Sequence, residues 1–186
     1  MTYQINFEKN FEWAIKNSLI SEEEARRIRY EGRLEDTFSG RVVCFEALGR
    51  RLMYNWLVYG DYNVPYIVQH PVFNEEGDYS ISIDTTICSG STLIPCESKF
   101  RNFELQKYPD ALITADKWDE LKEQGGFLFY AHPNGCFLWN TAEVKPVWDK
   151  YLLVSKRTED PYCKEKVWRR NYGLRYEDAF RRFILE

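Results

Sequence analysis

Three charged side chains stand close together in a stretch that is otherwise apolar and β-prone. They are Asp84 in IDTTICS and the pair Glu97 and Lys99 in IPCESKF. Two carboxylates and an ammonium are the inventory of a hard-metal hydrolytic site. A divalent ion such as Mg²⁺ takes one or two carboxylates plus waters and a substrate phosphate, and a neighbouring lysine can orient or deprotonate the attacking water. Whether they can act together depends on the elements that carry them.

In residues 79–88, Ile81, Ile83 and Ile87 alternate with Ser80, Ser82, Asp84 and Thr86, the pattern of a strand with one buried face. Ser89-Gly90-Ser91 reads as a turn, and residues 93–100 as the returning strand of a hairpin. With a turn of about three or four residues, Asp84 faces Cys96 or Glu97 directly. In the second register Asp84, Glu97 and Lys99 share one face, and a slip of one residue separates them. Like charges directly opposite are unfavourable unless something positive lies between them, and a metal ion would resolve the conflict. The main-chain carbonyl of Cys96 offers a further oxygen ligand. The same residues also fit the solvent side of an amphipathic hairpin, with Lys99 weakly paired to a carboxylate.

Around this hairpin the periodicity predicts two leading helices, one striped by Phe7, Phe11, Ile15 and Leu19, the other opened by the capping box Ser21 to Glu24. A third helix carries Val42, Phe45, Leu48, Leu52, Trp56 and Leu57. Residues 63–73, broken by Pro65 and Pro71, read as an edge strand. Thr114 can cap a helix over residues 115–124 that Gly125 and Gly126 terminate. Residues 127–131 and 136–140 form a second hairpin, and residues 176–184 a terminal helix. Helices, strands, helix, strands implies a mixed sheet with helices packed on it, an α/β (α+β) fold.

Composition sets the outer limits. With 186 residues, 44% hydrophobic and 17% aromatic, the chain can bury a core as a single domain. Its five cysteines are scattered without a CxxC pair, which suggests reduced thiols and a cytoplasmic setting. Neither a leader-like start nor a long apolar run is present, so export and membrane spanning are not expected. Net charge is −4, yet the run from Lys156 to Arg182 is basic, contains Arg169 and Arg170, and interleaves Trp168, Tyr172 and Tyr176. That mixture suits phosphates and bases, or the wet face of a helix.

The ordered set Phe45-Glu46 in a helix, a strand, Asp84 in the next, and Glu97-Ser98-Lys99 followed by a helix resembles the PD-(D/E)xK nuclease superfamily. Certain phage and bacterial members are similar further on, at Lys99-Phe100-Arg101, Tyr108-Pro109-Asp110-Ala111-Leu112-Ile113, Asp116-Lys117-Trp118 and FLFYAHPNGCFLWN. Asp84 follows Ile83 and not a proline, and Asp78 is a rival for its position. The resemblance implies a restriction-endonuclease-like mixed central sheet flanked by helices over residues 41–140. An N-terminal helical segment, 1–40, precedes that core, and a basic extension, 141–186, follows it. It also implies Mg²⁺, with Mn²⁺ as substitute, held by Asp84 and Glu97, with Lys99 assisting the water and Glu46 in support. Arg101, Lys117, Arg169 and Arg170 are the expected contacts to nucleic acid, DNA in preference to RNA. Duplex-cutting relatives suggest a possible homodimer.

Overall fold

A computed structural model describes residues 12, 15, 16, 21–23, 25, 26, 48–50, 52, 53, 57, 66–69, 84–89, 91–101, 103, 105–132, 135–157 and 164–184; over 66–69 and at the ends of some other strands only the backbone is described. It is a mixed α/β molecule in which strands dominate. In chain order the strands are β1 (Tyr66–Gln69), β2 (Thr85–Ser89), β3 (Thr92–Phe100), β4 (Asp110–Thr114), β5 (Phe127–His132), β6 (Gly135–Asn140), β7 (Trp148–Arg157), β8 (Lys164–Arg175) and β9 (Arg181–Ile184). Helix α1 (Ala115–Glu123) lies between β4 and β5. Residues 12, 15, 16, 22, 23, 25, 26, 48–50, 52, 53 and 57 are also helical.

Two sheets result. The larger runs β1-β2-β3-β5-β6-β9 and the smaller β4-β8-β7. All neighbours pair antiparallel except β3 and β5, which run parallel. Parallel neighbours cannot be joined by a tight turn, and here the connection passes through β4 and α1. The helix is thereby set between the sheets, packing on β3 and β5 on one side and on β4 and β8 on the other.

Side-chain alternation explains both covered faces of the large sheet. The register pairs Glu97 with Leu128 and Lys99 with Tyr130, so these four share the face beneath α1. Leu128 and Tyr130 there join Trp118, Leu121, Phe137, Trp139, Ile113 and Leu174 in one buried cluster. Cys96, Ser98 and Phe100 point the other way, with Phe129, toward the helical residues at 48–57, of which Leu48, Leu52, Met53 and Leu57 are buried. Gly49 is the point of closest approach: a Cβ there would lie 3.1 Å from Phe100 Cβ and 3.2 Å from Phe100 N. A larger side chain there would force the helix or β3 to give way by a few tenths of an ångström.

Most predicted elements recur with shifted ends. The edge strand at 63–73 is β1, the first hairpin is β2–β3, and Gly125, at φ 63°, ends α1 in the left-handed conformation that glycine tolerates. Thr114 is the residue before α1, but its side chain makes no capping hydrogen bond. The terminal helix expected at 176–184 is not formed. Tyr176–Asp178 is one 3-10 turn, and β9 then pairs with β6 at the edge of the large sheet. The basic run is likewise extended, not helical: β7 and β8 form a long ribbon whose inner strand continues the small sheet through β4. The tail thus contributes strands to both sheets, woven into the 41–140 stretch instead of following it. Among the described residues, no helix is long and apolar enough to cross a membrane.

Candidate active site

Where β2 begins, the strand leaves one main-chain group of β3 without a ladder partner, and Asp84 supplies it. The register Thr85 to Cys96 brings Asp84 level with Glu97, the second of the two expected arrangements. Asp84 itself forms a bend before the strand, and its Oδ2 accepts from Ser98 N at 2.7 Å and from Ser98 Oγ at 3.0 Å. Strand N–H groups lie in the plane of the sheet, so the Asp84 carboxylate sits at that level beside β3. It does not stand up next to Glu97. Its Oδ1 is bonded by Arg50 at 2.5 Å, from the helical stretch on the opposite face.

Asp84 is 1% exposed and Arg50 is 3% exposed. Burial alone would push the Asp84 carboxyl up, but the charges of Lys99 and Arg50 and the two bonds from Ser98 outweigh it and hold its pKa below the ordinary value. The ionised form is therefore the native one. An ion pair this deep is held together because each partner would otherwise be an uncompensated buried charge.

Glu97, 2% exposed, projects to the α1 side. Its Oε1 is bonded by the Lys99 ammonium, and Lys117 Nζ, from the first turn of α1, stands 3.5 Å from Oε2. Lys117 also lies 3.6 Å from Glu120 on its own helix. Oε2 itself is buried and accepts no hydrogen bond. The two lysines keep part of their length at the surface while the carboxylates lie beneath, an ordinary arrangement for a long cationic stem.

Cys96 belongs to the other face. Its thiol is fully buried, lies 3.2 Å from Met53 Sδ, and is pushed well up by burial and by the negative charges of Asp84 and Glu97. Both carboxylates therefore bear on the same residue. A protonated thiol is a poor metal ligand, which leaves only the Cys96 carbonyl as expected from sequence. Among the described residues, no group of three or more His, Cys, Asp or Glu is gathered so as to hold a metal ion.

Of the residues singled out in the sequence, Asp84, Glu97, Lys99 and Lys117 come together. Glu46 and Asp78 lie outside the described residues. Arg101 is held elsewhere: its Nε donates to Tyr130 Oη at 2.6 Å and its guanidinium lies 5.0 Å from the Tyr130 ring centroid. Arg169 and Arg170 are exposed on β8, with Arg170 bonded through Nε and Nη2 to the Asp149 carboxylate. Arg50 and Ser98 were not foreseen. Arg50 stands four positions after Glu46 in the sequence, the spacing at which residues of a helix share a face. Ser98 lies between Glu97 and Lys99 in the motif, and its part is played chiefly by the main chain, which residue type does not reveal.

Comparison with protein families, with curated proteins and with solved structures returned no match. The reading of this site accordingly rests on its own geometry.

Proposed function

We propose that this chain is a divalent-metal-dependent nuclease, hydrolysing phosphodiesters of DNA in preference to RNA, on a restriction-endonuclease-like core. The observation that carries this reading is that Glu97, buried under α1, is approached by the ammonium groups of both Lys99 and Lys117, while Asp84 caps the adjoining strand within range of the Lys99 charge. The element order supports it: helical residues, a strand, Asp84 at the next, Glu97-x-Lys99 on its partner, then a helix and a parallel strand.

The residues present fit a hard cation. A carboxylate oxygen has about two acceptor positions; Glu97 Oε2 accepts no hydrogen bond, and Asp84 Oδ1 keeps one position beyond Arg50. Asp84, Glu97 and the Cys96 carbonyl would hold Mg²⁺ or Mn²⁺. Such an ion, when bound, polarises a phosphate and lowers the pKa of a coordinated water. The chain's own contribution is electrostatic. Three cations, Arg50, Lys99 and Lys117, stand against the Asp84 and Glu97 carboxylates, with Glu120 also beside Lys117, and a bound divalent ion would add the positive charge that a phosphodiester anion needs. Lys99 and Lys117, partly exposed, are the groups that can reach it, and Lys99 can steady the charge that grows as the bond to the leaving oxygen breaks. Arg50 and Ser98 keep Asp84 ionised and fixed in direction.

One observation favours a second reading, a nucleic-acid-binding protein that does not cut. Asp84 already accepts three hydrogen bonds, and a carboxylate so engaged is a weaker ligand. Incubating the protein with end-labelled DNA and RNA, with Mg²⁺, Mn²⁺, Ca²⁺ or EDTA, separates the two. Cleavage in Mg²⁺ or Mn²⁺, binding without turnover in Ca²⁺, and loss of cleavage in Lys99→Ala are expected of the nuclease. Binding without product in every metal would establish the second reading.

A further inference from the structure

The ribbon of β7 and β8 carries an exposed aromatic row that the candidate active site does not use. Tyr151 is 66% exposed and Trp168 is 68% exposed, whereas Trp118 and Trp139 are buried. The register pairs Asp149 with Tyr172, Tyr151 with Arg170, and Leu153 with Trp168. Alternation puts these six side chains on one face, in three successive rungs. The first rung is anchored: Tyr172 is buried in the core and its hydroxyl bonds Asp119 of α1 at 3.2 Å. The later rungs run outward past the core, where Tyr151, Leu153 and Trp168 are exposed.

A groove of about 300 Å³ opens at the anchored end, lined by Trp118, Asp119 and Lys122 of α1 and by Trp148, Asp149 and Tyr172 of the ribbon. The helix that supplies Lys117 to Glu97 therefore also forms one wall of a path leading to the aromatic row. Asp119 and Asp149 line the groove, but the ribbon beyond it is basic in sequence. WDKYLLVSKR and KEKVWRRNYGLR carry a large excess of Lys and Arg over Asp and Glu, in a chain whose overall charge is −4.

We infer that the β7–β8 ribbon is a landing platform for single-stranded polynucleotide, in which unpaired bases stack on Trp168 and Tyr151 while Lys166 and Arg170, on the same face, meet the phosphates. The inference deepens the nuclease reading and rests on it, by naming the form of substrate. Two features select this partner. Exposed rings offer a face that an unpaired base can cover and that a base already stacked in a duplex cannot. The basic side chains interleaved with the rings attract a polyanion, whereas a second copy of this chain would bring the same positive charge against them.

The test uses the full chain in EDTA at fixed salt, with fluorescence anisotropy of labelled oligo-dT, oligo-U and a blunt DNA duplex of equal length. Wild type is expected to bind the single strands more tightly than the duplex. Trp168→Ala and Tyr151→Ala should each weaken single-strand binding about tenfold, with Trp168→Phe retaining most of it and thermal unfolding unchanged, since both rings are exposed. DNA and RNA arms report which sugar is preferred, and binding of either by stacking supports the inference. Unchanged affinity in both alanine variants overturns it, as does preference for the duplex. A dimer that Trp168→Ala dissociates while strand binding stays intact also overturns it and assigns the row to self-association. If metal-dependent cutting is present and the alanine variants bind normally, the platform alone fails. If the platform binds strands and no metal supports cutting, the nuclease reading alone fails.

Discussion

Lys117 Nζ stands 3.5 Å from Glu97 Oε2, although the two residues belong to different elements, a helix and a strand. The parallel pairing of β3 with β5 requires a crossover, and the crossover helix brings the lysine over the strand face that bears Glu97. Lys117 is thus a second ammonium at the site, beside Lys99. Under the proposed function, Lys99→Ala should lower single-turnover cleavage of labelled DNA by about 10²- to 10³-fold. Lys117→Ala should lower it by about tenfold to a hundredfold, with circular dichroism unchanged. Equal rates in Lys117→Ala and wild type would remove Lys117 from the site.

The Arg50 and Asp84 pair predicts a stability effect that does not depend on function. Both are buried, and Arg50→Met leaves the Asp84 carboxylate without its guanidinium. Breaking such a pair from one side costs about 3–5 kcal/mol, read as a lower urea midpoint. Adding Asp84→Asn to Arg50→Met should restore part of the loss, because the stranded charge is removed as well.

Acid should destabilise the fold through His132. Its ring is fully buried, with Nδ1 2.9 Å from the Phe103 carbonyl and Nε2 3.1 Å from Tyr176 Oη. A neutral ring that donates from Nδ1 and accepts at Nε2 satisfies both contacts. Burial, reinforced by the Arg101 charge, lowers its pKa from 6.5 to about 4. Between those values the unfolded chain binds the extra proton, so stability rises with pH through the window and is lost as pH falls from about 6.5 toward 4. Urea titrations should show about 2 kcal/mol less stability at pH 5 than at pH 7, and His132→Phe should flatten that difference. Asp84, with its pKa lowered, adds a loss in the same direction only below the ordinary carboxylate range.

Thiol labelling tests the packing of β3 and β6. Cys96 and Cys136 are buried, and burial raises the Cys136 thiol to about 12 and the Cys96 thiol well above its usual value. Neither should react with a thiol-exchange reagent in the native protein, and both should react in urea. Half-buried Cys88 should react at an intermediate rate. Rapid native labelling of Cys96 would mean that β3 is not packed against Met53.

Gly173→Ala tests the small sheet. A Cβ at this position would fall 2.1 Å from Trp148 Cε2, so the indole must leave its place over β8 and give up the 2.8 Å bond from its Nε1 to Asp110. The expected cost is about 1–3 kcal/mol, with a shift in tryptophan emission. An unchanged melting curve would show that Trp148 is not held across the glycine.

The sequence made the β2–β3 hairpin legible because its alternation and turn are local signals. The same held for α1, where a helical stripe ends at two glycines. Glu97 and Lys99 were found because a strand concentrates residues of one parity on one face; Asp84 was placed level with Glu97 by register, but its carboxylate turns to Ser98 and Arg50 instead of sharing that face. Arg50 was not legible, since its partner lies 34 positions away and only the packing of a helix on β3 brings them together. The tail was misread for a related reason. KEKVWRRNYGLR interleaves basic and aromatic residues in a way that suits either a helix face or a strand, and only the docking of β8 on β4 and β7 decides between them. Arg101, beside the motif, was expected to contact nucleic acid, but β5 offers it the Tyr130 hydroxyl.

Strand β7 is the outermost member of the small sheet, and among the described residues its far edge has no hydrogen-bonded neighbour. An unpaired edge ten residues long is a template on which other chains can polymerise. Asp149 and Lys150 punctuate that edge with charge, so colloidal stability of this protein should depend on ionic strength: low salt keeps molecules apart, and concentrated salt screens the repulsion and favours fibrous precipitation.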